Sequence, residues 1–346
     1  MKQPLVSIII PCYNAEKFFL KCYEGIRAQT YQNIEIVVVE NGRNKGVEKI
    51  VKSIGDKRIK YFYTEIPNVS NARNLGIRKS NGKYICFVDV DDYLMPKMIE
   101  TFVNRIKEDN TPVAVCEYFE EYSNGSRIIK EFPWDRQILN EKEIKDKYIP
   151  LLIGYGDGRS IFGAVWRLMI ERRVLFANKI AFNSDVSIGE DLLFTLELLL
   201  CINKISLIKL PLYVYQRNSG SLINSYKSDV VSMSKKYHFY MKKCLEKFST
   251  FDLYKENYNV NLLRMYPNAI SFAVRSGNIQ KSFSDINKVY EIYMQGDWDL
   301  KNNALRLDFR IVLFLLEHKY IKLLYVIFYI KEKIRISKLS NSSNKA

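Results

Sequence analysis

Between Leu5 and about Pro112, short runs rich in Val and Ile alternate with stretches of helical period, and few folds accept that rhythm. Such alternation builds successive β-α units on a largely parallel sheet. The pattern predicts strands at Leu5–Ile10, Ile34–Val39, Ile59–Tyr63, Tyr84–Val88 and Val113–Tyr118. Helices are expected to start near Ala15, Gly46, Asn71 and Pro96, with Ser70 as an N-cap and Pro96 in a first turn. Pro11, Asn41-Gly42 and Asp89 to Asp92 then fall just past strand ends, the edge of an open sheet where ligands bind.

A chain of 346 residues with 47% hydrophobic side chains can bury more than one core, so two parts are expected. The 53 basic and 38 acidic residues give a formal charge of +15, which attracts phosphates, nucleic acid or anionic lipid without choosing among them. Acids, not bases, cluster at the predicted sheet edge, which argues against a nucleic-acid partner. Cys12, Cys22, Cys86, Cys116, Cys201 and Cys244 are scattered in apolar surroundings with no Cys-x-x-Cys pair, so they read as reduced core residues and zinc is not expected. With only His238 and His318 present, a general base is expected to be a carboxylate. Pro11 interrupts the apolar run Leu5 to Ile10 too early for a signal peptide, so a cytoplasmic location is expected.

From about Glu117 to Arg217 the pattern is mixed. It holds a glycine-rich loop Gly154-Tyr155-Gly156-Asp157-Gly158, a helix near Gly189 to Cys201, and strands near Lys204–Ile208 and Leu212–Tyr215, read as the second half of the same domain. After Ser221 the chain turns helical, with long stretches at Val230–Lys247 and Ser282–Met294. Leu305 to Leu339 is apolar, but charges interrupt it before a run of about 18 residues can form, so no clean membrane span is expected. Two readings fit this tail: an amphipathic helix on an anionic membrane, with Lys331, Lys333, Arg335 and Lys338 at the head groups, or a final helix packed on its neighbours.

Four strings carry chemistry. Asp89-Val90-Asp91-Asp92 follows a buried strand and gathers three carboxylates that repel one another unless a cation sits among them. Val6 to Asn14 ends a strand at Pro11 and exposes Tyr13, a ring able to stack on a base, and Asn14, an amide able to bind backbone or ligand. In Glu40-Asn41-Gly42 an acid and an amide could accept from a nucleobase N–H. Asn68 to Gly76 puts Arg73 in the first turn of a helix, where a guanidinium and free amides suit a diphosphate. Gly189-Glu190-Asp191 places two acids before an apolar helix, a position that capping and dipole effects also favour.

In chain order these strings, with Tyr93-Leu94-Met95-Pro96, Val165-Trp166-Arg167 and Tyr213-Val214-Tyr215-Gln216-Arg217, resemble the family 2 glycosyltransferases from Val6 to about Arg217. The resemblance implies an α/β fold class: a Rossmann-like GT-A nucleotide-sugar-binding domain with a mixed sheet over residues 1–220, then a mainly helical region over 221–346. It implies that Pro11, Tyr13, Asn14, Glu40, Asn41, Arg73, Asn74, Asp89 and Asp91 bind the nucleotide sugar. Asp91 and Asp92 would meet Mn2+ or Mg2+, Asp191 would be the catalytic base, and Trp166 and Glu190 would line the acceptor site. The family pattern at positions 40 and 41 is two aspartates followed by Gly-Ser, whereas this chain has Glu40-Asn41-Gly42-Arg43, so the uridine nucleotide is a first choice only. The implied activity is inverting transfer of a hexosyl or N-acetylhexosaminyl group to a growing, lipid-linked surface polysaccharide such as a capsule or exopolysaccharide, by an enzyme peripheral on the inner face of the membrane. A nucleotidyltransferase and a glycosyltransferase-like protein with weakened turnover are the alternatives.

Overall fold

The computed structural model describes residues 3–42, 45–217, 230–295 and 305–341, the last four by backbone alone. Arg43, the Lys338 side chain and the expected boundary at 220/221 lie outside the described residues. Contacts divide the chain into two units. The first comprises residues up to Glu121, Arg127–Ile149 and Phe162–Gln216; the second comprises Tyr122–Ser126, Pro150–Ile161 and the chain from Arg217 onward. The glycine-rich loop therefore belongs with the helical unit, not with the sheet.

The first unit is built on one twisted sheet. Its first four strands, β1 (Val6–Cys12), β2 (Ile34–Asn41), β3 (Ile59–Thr64) and β4 (Tyr84–Phe87), pair in parallel in the order β3-β2-β1-β4. Helices α1 (Glu16–Arg27), α2 (Gly46–Ile54) and α3 (Val69–Lys79) connect them. β1 and β2 are buried along their whole length because helices cover both faces, which is why they read as continuous apolar runs. Strand β1 continues through Pro11, where the missing N–H is harmless: its ladder with β4 has already ended at the pair Ile9–Phe87.

Beyond β4 the sheet becomes mixed. Next in chain order are β5 (Tyr93–Leu94), α4 (Met98–Asp109), β6 (Val113–Tyr122), β7 (Arg127–Lys130) and β8 (Ile138–Asn140). Short helices α5 (Glu141–Glu143) and α6 (Ile149–Ile153) precede β9 (Leu168–Glu171), α7 (Arg172–Ala177), α8 (Glu190–Leu200) and the long β10 (Lys204–Arg217). Strand β9, which periodicity did not single out, slots antiparallel between β4 and β6. Four residues with no polar partner in the pattern carry too little period to be read as a strand.

Helix α3 is capped by Asn68, whose side chain accepts from the Asn71 N–H at 2.9 Å; the expected cap, Ser70, lies inside the first turn and is fully buried. The same helix can lie close against β1 because residue 76 is glycine: a Cβ there would come within 2.4 Å of Ile9 Cγ2.

The second unit is helical, with α9 (Val230–Lys247), α10 (Phe251–Val274), α11 (Ile279–Met294), α12 (Leu307–Glu317) and α13 (Ile321–Asn341). Ile270, Ile286, Leu316 and Leu324 are among its fully buried residues. Side-chain amides tie the glycine-rich segment to α10: Asn257 donates to the Gly154 carbonyl at 3.0 Å and Asn261 to that of Ile153 at 2.5 Å. Among the described residues no helix is long and apolar enough to cross a membrane. Arg335, expected at lipid head groups, instead pairs with Glu332 at 2.5 Å, and Glu332 also receives Arg275 at 3.3 Å.

Candidate active site

The acids that follow β4 divide into different roles. Asp92 is 1% exposed; its Oδ2 accepts from the Tyr213 hydroxyl at 2.8 Å and its Oδ1 from the Gln216 N–H at 2.8 Å. The Asp89 N–H donates in turn to the Tyr213 oxygen at 3.1 Å. Burial, reinforced by Asp91 and Asp89, raises the Asp92 carboxyl well above the usual carboxylate range. Asp92, expected as a metal contact, braces the loop against β10, each of its oxygens accepting one hydrogen bond from that strand.

Asp91 differs. Burial first, and the neighbouring Asp89 second, push it up to about 6, and its carboxylate has only its own backbone N–H for support. Among the described residues no cluster of three or more His, Cys, Asp or Glu side chains forms a complete metal cage. One or two carboxylates without a cage suit a magnesium-like or manganese-like ion that takes its remaining ligands from substrate phosphates and water. The carboxylates of Asp89 and Asp91 are the residues that could hold a divalent cation of that kind.

Arg73 holds the other acids together. It is 3% exposed, and its Nη1 donates to Asp191 Oδ1 at 2.5 Å and to Glu190 Oε1 at 3.4 Å, while Nη2 donates to Asp89 Oδ1 at 2.9 Å. One guanidinium thus joins the acid loop after β4 to the start of α8. Arg73, expected to grip a diphosphate, meets carboxylates through both terminal nitrogens here. Its Nε is buried without a partner. The Phe182 ring lies 5.2 Å from the guanidinium carbon and stacks on Phe194 at 4.1 Å, walling the group from solvent.

Asp191 is pushed up to about 7. Burial is the largest cause; Arg73 opposes it, and Glu190 and Asp89 add repulsion. The Val165 N–H reaches its second oxygen at 3.5 Å. A carboxylate that titrates near neutrality suits proton abstraction, since a general base works best with a pKa close to the operating pH.

Other expected contacts are resolved differently. Tyr13 stands 48% exposed with its ring across Gly42, open for stacking, and Asn14 follows it on an exposed turn with φ of 47°. Pro11 is buried within β1. Glu40, expected at the nucleotide, caps a helix: its oxygens accept from the N–H groups of Val47 (3.0 Å) and Glu48 (3.2 Å) at the start of α2, and from the Tyr61 hydroxyl at 2.6 Å. The Asn41 amide, with its nitrogen toward β1, donates to the Cys12 carbonyl at 2.6 Å and accepts from the Asn68 N–H at 3.1 Å. An aspartate could not donate that first bond, which gives the Asn at this position a structural reason. Asn74 exchanges two 2.8 Å hydrogen bonds with the backbone of Phe182, so it too braces the site.

Trp166, expected to line the acceptor site, is 2% exposed, stacked on Tyr213 at 4.2 Å and on Tyr215 at 5.7 Å. The surface ring of this aromatic cluster is Phe162, 45% exposed and 5.9 Å from Trp166. Sequence reasoning missed Phe162 and Phe182, which sit in strings with no distinguishing pattern. Tyr213 and Gln216, in a string expected only from the family resemblance, lie within β10.

A parallel sheet whose carboxyl edge carries carboxylates, joined to a mixed extension that returns a second pair of acids, defines a nucleotide-binding α/β protein of the GT-A kind. Residues 7–165 match the family described as Glycosyl transferase family 2. Among curated relatives, "Uncharacterized glycosyltransferase EpsJ" of Bacillus subtilis (strain 168) is 27% identical over 221 residues, 63% of this chain and 63% of EpsJ's own length. Among solved structures, S. aureus TarS 1-349 in complex with UDP-GlcNAc has a TM-score of 0.62 at 17% identity, covering 95% of this chain and 91% of that one. The mannosyltransferase PcManGT from Pyrobaculum calidifontis, in complex with GDP-Man and Mn2+, has a TM-score of 0.51 at 13% identity, covering 96% and 89%. At those identities the structures speak for the fold.

Proposed function

We propose that this chain is an inverting, metal-dependent glycosyltransferase that moves a hexosyl or N-acetylhexosaminyl group from a UDP-sugar to a hydroxyl of a growing surface glycan. The observation that carries the reading is the single guanidinium of Arg73 shared by Asp89, Glu190 and Asp191, which ties a donor-side acid to a base of suitable pKa. Tyr13 offers the base of the nucleotide a stacking face. A divalent cation held by Asp91, with Asp89 beside it, would supply charge neutralisation for the departing diphosphate. Asp191 accepts the proton of the acceptor hydroxyl as its oxygen bonds to the anomeric carbon from the side opposite the leaving group. The carbon–oxygen bond to the diphosphate breaks in the same displacement, which inverts the anomeric carbon. Glu190 keeps a second negative charge beside Asp191 and so favours its protonation after transfer, while Phe162 is the ring available to an acceptor sugar.

Uridine is the proposed nucleotide because TarS, the TM-score 0.62 neighbour, is seen with UDP-GlcNAc; titration with UDP-GlcNAc and GDP-Man in parallel tests the choice. The nucleotidyltransferase alternative lacks support, since β1 runs straight through Pro11 with no glycine-rich phosphate cradle. Release of UDP with formation of a glycosidic product, dependent on Mn2+ and abolished by chelation, is the decisive assay against the weakened-turnover alternative. Asp91→Asn is expected to weaken Mn2+-dependent donor binding by at least about tenfold while leaving the melting temperature near that of the parent protein. Unchanged donor affinity in calorimetry would remove Asp91 from the metal site.

The proposed setting is the inner face of the membrane, with a lipid-linked acceptor. Its support is α13, where Ile321, Leu324 and Phe328 are buried while Leu323, Val326, Ile330 and Ile334 stand exposed. The exposed four recur at spacings of a single helix face, and Lys322, Lys331 and Lys333 flank them, the distribution of a helix lying on an anionic bilayer. Leu323→Glu with Ile330→Glu is expected to lower partition into phosphatidylglycerol vesicles by about tenfold or more, from the lost burial of two large apolar side chains. Equal sedimentation of parent and variant with the vesicles would refute the membrane role of this face.

A further inference from the structure

In the helical unit, the glycine-rich loop is flanked by two arginines. Arg264, on α10, brings Nη1 to within 2.8 Å of where a Cβ on Gly154 would stand; Arg306, just before α12, brings Nη1 to within 3.2 Å of the corresponding position on Gly158. Both glycines have positive φ, 118° and 93°, so the loop is shaped where only glycine admits both the turn and the guanidinium. The two guanidinium carbons lie 5.7 and 5.5 Å from the centre of the same ring, Phe309, and the Arg306 N–H donates to the Gly156 carbonyl at 2.8 Å.

Arg306 is neutralised by Asp308, through bonds of 2.5 and 2.6 Å. Arg264 is not: among the described residues it has no carboxylate within ion-pair distance, although it is half-buried. Its surroundings disfavour its charge, through burial first and the nearby Arg306 second. A half-buried cation beside a second cation, with no counter-charge of its own, is unfavourable unless an anion completes it. The loop also leaves the N–H groups of Gly156 and Asp157 without acceptors among the described residues. A forked guanidinium and open loop amides together match an oxyanion with several acceptor oxygens.

We propose that Arg264, Arg306 and the loop Gly154 to Gly158 form a phosphate-binding site in the helical unit, separate from the acid cluster of the sheet. The phosphate comes either from a small soluble ester or from a lipid head group, and both present the same oxyanion to the two arginines.

The test is thermal unfolding and calorimetry of the full chain at low ionic strength, with inorganic phosphate in one arm and short-chain phosphatidylglycerol in the other. Phosphate well above its Kd is expected to raise the melting temperature by about 2 °C or more. Arg264→Gln is expected to weaken phosphate binding at least about tenfold, with a melting temperature in phosphate-free buffer no lower than the parent's, because an uncompensated cation has been removed. Arg264→Lys should recover part of the affinity. If Arg264→Gln fails to fold, Arg306→Gln, at a half-exposed position, decides instead, with an expected loss of at least about threefold. A response to lipid alone assigns the site to a head group, and a response to inorganic phosphate assigns it to a soluble ester. No response in either arm, or the same response in parent and variants, overturns the proposal. The measurement uses neither donor nor turnover, so its failure leaves the transferase reading where it stands.

Discussion

Asp191→Asn is expected to reduce turnover by about 10^3-fold or more while leaving UDP-sugar affinity within a few-fold of the parent, because the amide fills the same space and cannot take a proton. Steady-state UDP release and calorimetric donor binding separate the two effects. In the parent protein, kcat/KM should rise with pH, about tenfold per unit on the acid side, and level off above about 7, where Asp191 is ionised. The stability consequence has the opposite sign. The folded-state pKa of Asp191 is raised above its unfolded value, so between the two values the native state binds the extra proton and stability falls as pH rises. At pH 8 the Asn variant should therefore melt no lower than the parent, and higher if Arg73 is satisfied by Asp89 and Glu190 alone. A variant that keeps parental turnover would end the assignment of Asp191 as base, whatever its stability.

The second large effect belongs to Arg73. Arg73→Met removes the cation bonded to three partly buried carboxylates, and breaking a buried ion network from one side costs about 3–5 kcal/mol. Denaturant unfolding should show that loss directly. Arg73→Lys supplies a point charge where a fork had reached two elements at once, so it should recover part of the stability but little of the turnover. The distinguishing readout is the pH profile: Arg73 is the main influence that lowers the Asp191 pKa, so the acid limb of the Lys variant should move upward. An unshifted limb would mean that Arg73 supports the fold without tuning the base.

Several elements were legible in the sequence because one local rule governed each. β1 and β2 announced themselves as apolar runs rich in Val and Ile, since burial along their whole length leaves no polar alternation. Val230–Lys247 was readable as helix because nothing in it breaks one. Strand β9 was not legible, being four residues long and defined by the strands on either side. Lys204 to Arg217, expected as two strands, is one, because the sheet carries the chain through Pro211 where a local reading sees a stop.

The candidate site divides along the same line. Sequence alone determined that carboxylates would stand at the ends of buried strands, because the apolar run that buries a strand also fixes where it must reach water. It could not assign them tasks. Asp91 and Asp92 are neighbours with the same side chain, yet one has only its own backbone N–H and the other accepts from Tyr213 and Gln216, residues more than 120 positions away. Glu40, Asn41 and Asn74, read as ligand contacts, likewise bond to other parts of the chain. Whether a polar group is free for chemistry depends on which distant donors the fold delivers to it, and on how much water the packing leaves there. Those are properties of the tertiary structure, and no local pattern encodes them.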